Sequence, residues 1–184
     1  LKLSVLIPAY NEAPTVESLI RRVASVNVDK EIIVVNDGSS DETGAILDHL
    51  DIPGLRVIHH PQNRGKGAAI RTAIAAAQGD AIIIQDADLE YNPDDYHKLT
   101  EKMVQEKAKV VYGYRSLKGQ KTFIRLGNQF LTWATNLIYG CRIHDMETCY
   151  KLVDRELLQS FTIVSNRFDM EAEVTAKILR RGHH

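Results

Sequence analysis

Apolar and polar positions change their spacing repeatedly along this chain. Short apolar runs bounded by turn residues predict buried strands, and apolar residues three and four apart predict helices. The predicted strands are Leu3–Ile7, Glu31–Asn36, Leu55–His59, Ala81–Gln85, Val110–Tyr114 and Tyr150–Val153. The predicted helices are Thr15–Val26, Glu42–Leu50, Ala68–Ala77, Asp94–Glu106, Thr122–Ile138 and Phe168–Arg181.

This alternation predicts an α/β fold with a mostly parallel sheet flanked by helices on both faces. Ligands bind such sheets beyond the carboxyl ends of the strands. A polar cluster follows each of the first four predicted strands: Pro8–Glu12, Asn36–Ser40, Arg64–Gly67 and Asp86–Asp88. We therefore expect the four clusters to converge on one crevice.

Length and composition narrow the class of protein. The chain has 184 residues, which suits a single domain over 1–184. It carries 23 Lys and Arg against 24 Asp and Glu, a net charge of −1, so a general nucleic-acid binder is disfavoured. No apolar run approaches the roughly 20 residues of a membrane span. The chain begins at Leu1 without Met and stops after a helical run, so we expect a domain truncated at its C-terminus.

The cysteines and the histidines predict no metal centre of their own. Cys141 and Cys149 fit neither a disulfide framework nor a four-ligand zinc site. We therefore expect reduced thiols in a cytoplasmic environment. No metal-ligand spacing relates the internal histidines His49, His59, His60, His97 and His144.

Two carboxylates directly after the fourth strand form the sharpest chemical signal. Asp86 and Asp88 stand one residue apart and can hold one hard divalent cation such as Mg²⁺ or Mn²⁺. Zinc is disfavoured because no His or Cys lies beside them. A solvated acidic turn is the alternative, but the position of the pair beside the other loops favours the metal site.

The two preceding loops suit a nucleotide. The Asp37 carboxylate can accept a hydrogen bond from a base or ribose, and Gly38 lets the backbone turn, although an ordinary turn with a helix cap is the alternative. Arg64–Gly67 places two cations and two glycines before a helix, which suits a phosphate. The spacing of neither a dinucleotide fingerprint nor a Walker loop is present, so NAD and ATPase functions are disfavoured.

The ordered set of motifs resembles a known family. The motifs are Leu3–Glu12, Val35–Asp41, Asn63–Ala69, Gln85–Glu90, Gly113–Arg115 and Asp145–Lys151. They look like those of the family-two inverting glycosyltransferases with the GT-A fold, and most like the polyprenyl-phosphate sugar synthases of the dolichyl-phosphate mannose synthase branch. The resemblance implies a GT-A type, Rossmann-like sheet and a single catalytic domain.

The resemblance also implies roles for individual residues. The nucleotide-sugar would contact Pro8, Tyr10, Glu12, Asp37, Gly38, Lys66, Asp86, Ala87 and Asp88. The metal would bind Asp86, Asp88 and Glu90, although the mannose-synthase branch often carries Gln at the last position. The catalytic residues would be Asp145, Asp88 and Arg115.

The acceptor decides how the nucleophile is activated. A sugar hydroxyl needs a general base, for which Asp145 or Glu147 is the candidate. A lipid phosphate has a second pKa near ~6, so it is already largely ionised at pH 7 and needs cations to hold it. The basic residues suited to that are Arg115, Lys118, Lys121 and Arg125.

These arguments predict transfer of a hexose from a UDP- or GDP-linked sugar to a polyprenyl phosphate at the cytoplasmic face of a membrane. Asp37 suits uracil and guanine equally, so the nucleotide stays open. The same fold acting on a saccharide hydroxyl is the main alternative. A sugar nucleotidyltransferase is disfavoured because Pro8–Glu12 replaces the glycine-rich, basic loop that this chemistry usually places after the first strand. A lectin-like or scaffold domain is disfavoured by the intact acidic and basic set.

Two late segments allow two interpretations each. Thr122–Tyr139 is apolar on more than one face, which favours a core helix over an interfacial helix that leads a lipid acceptor to the site. In Phe168–Arg181, we expect Asp169, Glu171 and Glu173 mostly to face solvent and to pair with Lys177 or Arg180, with one of them able to line the acceptor pocket.

Overall fold

A computed structural model describes residues 1–87, 91–113, 132–133, 135–140, 143, 148–167 and 169–183. The strands are β1 (Leu3–Ala9), β2 (Lys30–Asn36), β3 (Leu55–His59), β4 (Ala81–Ile84), β5 (Val110–Tyr112) and β6 (Lys151–Asp154). The helices are α1 (Val16–Ser25), α2 (Thr43–Asp48), α3 (Lys66–Ala76), α4 (Tyr96–Gln105), α5 (Arg155–Gln159) and α6 (Met170–Arg180). Residues 132–133 and 135–139 are also helical.

The strands form one sheet in the order β3-β2-β1-β4-β6-β5. The first four are mutually parallel, and β6 runs antiparallel to both of its neighbours. The chain moves outward from β1 to β3 and then returns to place β4 beside β1. Right-handed crossovers therefore put α1 and α2 on one face of the sheet and α3 on the other. The predicted α/β class is confirmed, and the point where strand order reverses lies between β1 and β4.

The core lies on both faces of the central strands. Strands β1, β2 and β4 contain the apolar runs Val5–Ile7, Ile32–Val35 and Ala81–Ile84, whose side chains are almost completely buried. Such runs are typical of parallel strands that are covered by helices on both sides. Helix α1 shows the complementary pattern, because it buries Val16, Leu19, Ile20 and Val23 and leaves its charged residues outside.

The first strand is longer than the sequence predicts. Pro8 was expected to end it, but β1 continues through Pro8 to Ala9, which pair with Val35 and Asn36 of β2. Pairing with β4 stops at Leu6, so the missing N–H of Pro8 removes no hydrogen bond on that side. The extension carries the chain directly into the reversal point of the sheet.

The helical residues 132–133 and 135–139 contradict the expected core helix. Trp133, Leu137 and Ile138 are 60%, 67% and 73% exposed, whereas Thr132 and Thr135 are buried. The small polar side chains face the protein and the large apolar ones face outward. Within the described part of the chain, no helix has the length and apolarity to cross a membrane. Tyr114, the last residue of the predicted fifth strand, and residues 122–131 and 134 of the predicted Thr122–Ile138 helix lie outside the described residues.

Candidate active site

A cavity of about 540 Å³ opens at the reversal point of the sheet. This volume is within the usual range for small-molecule sites. Its lining comes from the end of β1, the loops after β1, β2, β3 and β4, the start of α3 and the segment before α6. The lining residues are Pro8, Ala9, Tyr10, Glu12, Asp37, Asn63, Gly65, Lys66, Ala69, Asp86, Ala87 and Arg167. All four polar clusters that follow the first four strands thus contribute to one cavity.

The cavity contains most of the predicted nucleotide-sugar residues, namely Pro8, Tyr10, Glu12, Asp37, Lys66, Asp86 and Ala87. Gly38 stands behind this lining. Its φ is +67°, and a Cβ there would lie 2.4 Å from the backbone carbonyl carbon of Gln62, so the turn requires glycine. The other predicted residues lie outside the described part of the chain: Asp88, Glu90, Arg115, Lys118, Lys121, Arg125, Asp145 and Glu147.

Two loops hold each other at the cavity edge. The Asn11 amide donates to Ser39 Oγ at 3.0 Å, and Asn11 Oδ1 accepts from the Ser40 amide at 2.8 Å. The Glu12 amide donates to Thr43 Oγ1 at 2.8 Å. Asn11 adopts φ +56°, a left-handed conformation that Asn tolerates. The preceding Tyr10 is 47% exposed, so its ring is available at the cavity.

Asp37 organises the loop before α3. Its Oδ1 lies 2.6 Å from His60 Nδ1, and Oδ2 accepts from the Gly65 amide at 2.7 Å. The Arg64 amide donates to both carboxylate oxygens, at 3.0 and 3.1 Å. His60 is held in turn by Thr72 Oγ1, 2.9 Å from Nε2. The buried Asp37 side chain therefore shapes the glycine-rich loop at the cavity.

Lys66 stands between two carboxylates. Its Nζ lies 2.7 Å from Asp86 Oδ1 and 2.7 Å from Glu171 Oε1. Burial by itself would lower the pKa of Lys66, but Asp86 and Glu171 outweigh burial and raise the pKa above its ordinary value. The ammonium is therefore fully protonated at neutral pH and supplies a fixed positive charge in the cavity.

A buried polar network is hydrogen-bonded to the backbone of Asp86. Gln85 Nε2 donates to the Asp86 carbonyl at 3.0 Å, while Gln85 Oε1 accepts from Tyr96 Oη at 2.7 Å and from Tyr150 Oη at 2.6 Å. Burial raises the pKa of both phenols, so they are protonated donors at neutral pH. This network fixes the backbone at the point where β4 ends.

Cys149 lies in the same interior. Its thiol donates to the Ile84 carbonyl at 3.4 Å, and burial, reinforced by Asp86, raises the pKa of this thiol well above its usual range. A neutral, buried thiol is a packing residue and not a nucleophile.

The segment before α6 closes one side of the cavity. The Gly67 amide donates to the Asn166 carbonyl at 2.9 Å, and a Cβ on Gly67 would lie 2.3 Å from the Ser165 carbonyl oxygen. Arg71 also donates to Ser165 and Asn166. The close approach of these backbones places Arg167 at the cavity.

Sequence reasoning missed three residues of this site. Most of the acidic residues of the last helix were expected to face solvent, with one able to line the acceptor pocket, but Glu171 is only 8% exposed and pairs with Lys66. No local pattern identifies Glu171 or Arg167, because only tertiary packing brings Arg167 to the cavity and Glu171 to Lys66. His60 follows β3 directly, so the rule that polar residues after parallel strands converge would have identified it. The expected pairing of an acidic residue of this helix with Lys177 is confirmed, and the residue is Glu173.

The donor chemistry around Asp86 fits a hard cation. Its carboxylate lines the cavity and supplies the oxygen ligands that Mg²⁺ and Mn²⁺ prefer. Among the described residues, no group of three or more His, Cys, Asp or Glu side chains is placed to hold a metal ion. Asp88 and Glu90, the other predicted ligands, lie outside that part of the chain.

Comparison with known sequences gives a consistent family. The family described as glycosyl transferase family 2 matches residues 4–161. A dodecaprenyl-phosphate galacturonate synthase from Rhizobium johnstonii is 27% identical over 89% of this chain and 51% of its own length. A dolichyl-phosphate beta-glucosyltransferase from Trichomonas vaginalis is 31% identical over 82% of this chain and 51% of its own. The chain thus spans about half the length of these curated relatives.

A solved structure shares the fold. Glucosyl-3-phosphoglycerate synthase from Mycobacterium tuberculosis, in complex with Mn²⁺, UDP and glucosyl-3-phosphoglycerate, superposes with a TM-score of 0.77 at 26% identity. The match covers 98% of this chain and 66% of that chain. The predicted GT-A fold is confirmed, and because the family model extends over residues 4–161, the chain belongs to glycosyl transferase family 2.

Proposed function

We propose that residues 1–184 form a single GT-A catalytic domain that transfers a hexose from a nucleotide-diphosphate sugar to a polyprenyl phosphate, with inversion and with a divalent metal. The observation that carries this proposal is the pairing of Asp86 with Lys66 at the reversal point of the sheet, inside a cavity of about 540 Å³. Relatives named for dodecaprenyl and dolichyl phosphates support the class of acceptor.

The donor nucleotide would occupy the side of the cavity formed by the first two loops. The exposed Tyr10 ring offers a face on which a base can stack, and Pro8 and Glu12 extend that wall. Asp37 is the proposed base contact. Its carboxylate has about four lone-pair sites, and His60, Arg64 and Gly65 already donate to it, so a base N–H would share an occupied oxygen or take the remaining site.

The metal would be held by Asp86 together with Asp88 and Glu90. A bound Mg²⁺ or Mn²⁺ acts as a Lewis acid that stabilises the negative charge developing on the leaving diphosphate. Lys66 adds a fixed positive charge 2.7 Å from Asp86. The Mn²⁺ and UDP bound to the mycobacterial synthase support the choice of cofactor. The donors to test are UDP-linked and GDP-linked sugars.

The acceptor would approach from the side opposite the leaving group, which inverts the anomeric centre. A lipid phosphate needs no general base, so Arg115, Lys121 and Arg125 would hold it and Asp145 would orient the donor sugar. A saccharide hydroxyl is the second candidate acceptor and would make Asp145 the base. The glucosyl-3-phosphoglycerate bound to the mycobacterial synthase is the observation that keeps a non-lipid acceptor in consideration.

A lipid acceptor implies contact with a membrane, which we place at the cytoplasmic face. Trp133, Leu137 and Ile138 support this contact, because the first two are one helical turn apart and all three point away from the protein. An outward apolar face that carries Trp is typical of helices that lie in the membrane interface.

The test is calorimetric titration of UDP and GDP, each with Mn²⁺, followed by a transfer assay with a polyprenyl phosphate. We expect one nucleotide to bind only with metal, and Asp86→Asn to reduce transfer at least about 100-fold, because a metal site loses a charged ligand. Asp51→Asn makes the same carboxylate-to-amide change at an exposed residue outside the cavity and is the matched control. Absence of metal-dependent binding of both nucleotides to the unmodified protein would overturn the proposal.

A further inference from the structure

The carboxylate of Glu171 is buried and only half satisfied. Its side chain is 9% exposed, Oε1 contacts Lys66, and Oε2 has no hydrogen-bond partner among the described residues. An ionised group in such a position lowers the stability of the folded protein, and an apolar side chain of similar size would often be tolerated better. A half-satisfied buried carboxylate therefore calls for a reason other than folding.

Lys66 supplies that reason. Its ammonium sits between Glu171 on one side and Asp86 on the other, at 2.7 Å from each. A lysine side chain has a flexible four-carbon stem that can adopt many rotamers. A single partner at Asp86 would leave much of that freedom, whereas two carboxylates define one position for the ammonium.

Helix α6 brings Glu171 to Lys66 from a distant part of the sequence. Glu173 on the same helix accepts from the amides of Val164 and Ser165, and the Ser165–Asn166 backbone packs against Gly67. Glu171 is thus placed by a helix whose preceding segment packs against the first turn of α3, which carries Lys66. The 105-residue separation of Lys66 and Glu171 makes this link a product of tertiary packing.

We propose that Glu171 is a positioning residue of the donor site, which acts through Lys66 to hold its ammonium where a nucleoside diphosphate binds. The proposal rests on the proposed function and adds a residue that no sequence motif assigns. Pre-organisation of a charged group lowers the cost of binding, because the ligand does not have to order that group itself. Loss of Glu171 should therefore weaken nucleotide binding only while Lys66 is present.

The test is a double-mutant cycle in nucleotide affinity. Titration with Mn²⁺ and the nucleotide that the unmodified protein binds would be repeated for Glu171→Gln, Lys66→Met and the double variant. We expect Glu171→Gln alone to weaken affinity about fivefold to tenfold and to cause no further loss in the Lys66→Met background. Glu156→Gln, whose side chain is 81% exposed, is the matched control and should bind as the unmodified protein does.

Thermal unfolding without ligand separates positioning from folding. Glu171→Gln should melt within about 2 °C of the unmodified protein, because Lys66 retains Asp86 and an amide is less costly to bury than a carboxylate. Unchanged affinity of Glu171→Gln, or an equal loss in both backgrounds, would overturn the positioning role while leaving the proposed function intact. Failure of the unmodified protein to bind UDP or GDP with Mn²⁺ would instead overturn the proposed function, and this inference with it.

Discussion

The carboxylate of Asp37 and the imidazole of His60 form a buried hydrogen bond, with 2.6 Å between Oδ1 and Nδ1. The same carboxylate accepts the amides of Arg64 and Gly65, so one side chain organises both the end of β2 and the loop before α3. This arrangement predicts a structural effect of Asp37 in addition to any contact with a base.

Asp37→Asn should lower the free energy of unfolding by about 2–4 kcal/mol, because an amide NH₂ would face backbone N–H groups and the charge-assisted bonds would be lost. Chemical denaturation at pH 7 measures this difference. Asp48→Asn is the control, since its contact with His59 is exposed, and it should change stability by less than about 1 kcal/mol. An equal effect of both substitutions would contradict the organising role of Asp37.

Gly67→Ala should separate α3 from the segment before α6. A Cβ at this position would lie 2.3 Å from the Ser165 carbonyl oxygen, and that backbone cannot yield without disturbing Arg167. We expect a loss of about 2–3 kcal/mol in denaturation experiments. Gly44→Ala in α2 meets only the Asn36 side-chain nitrogen at 3.1 Å and should stay within about 1 kcal/mol of the unmodified protein.

The acid stability of the protein should depend on Glu173. Burial by itself would raise the pKa of Glu173, but Lys177, Ser165 and Val164 hold this pKa at about 2, below the ordinary 4.5. A depressed pKa means that the stabilisation is complete above the unfolded value and is lost as pH falls from about 4.5 towards 2. The contribution at pH 7 is at most about 3 kcal/mol.

Glu173→Gln should therefore be less stable than the unmodified protein at pH 7, and the difference should shrink on acidification through this range. Urea denaturation of both proteins at a series of pH values measures this difference in stability. The exposed Glu101→Gln provides the comparison and should leave the pH dependence unchanged. A stability difference that is the same at pH 7 and pH 3 would show that the charge of Glu173 is not responsible.

Arg115→Ala should block transfer to a polyprenyl phosphate and spare nucleotide binding. The physical reason is that an ionised lipid phosphate needs fixed cations and the nucleotide has its own contacts at Lys66 and Asp86. Transfer kinetics together with nucleotide titration check both parts. If the variant retains full transfer and Asp145→Asn removes a limb of the pH–rate profile, the hydroxyl acceptor is favoured instead.

Replacing Trp133 and Ile138 together by Ser should weaken binding to vesicles of mixed neutral and anionic lipids by about tenfold or more, since both side chains are exposed and apolar. Vesicle sedimentation measures this partitioning. Val104→Ser, at an equally exposed site on α4, should bind vesicles as the unmodified protein does. Equal partitioning of all three proteins would contradict membrane contact by this surface.

Local pattern was sufficient for the strands and for most of the cavity. Runs of β-branched apolar residues such as Ile32–Val35 favour strands, and the residues that directly follow parallel strands are brought to one edge by the geometry of the sheet. The amino-acid pattern alone therefore places Pro8, Asp37 and Asp86 in one crevice. It does not locate the end of β1, because tolerance of Pro8 depends on where the neighbouring β4 stops.

The sequence by itself determined the α/β order, the family motifs and the polar clusters that meet at the cavity, since each of these depends on residues close together in the chain. Only the tertiary structure decided that Glu171 is buried against Lys66 and that Trp133 and Leu137 face outward. The physical reason is that the face a helix buries is set by the elements packed against it. For Glu171 on α6 that partner is Lys66 at the start of α3, 105 residues away.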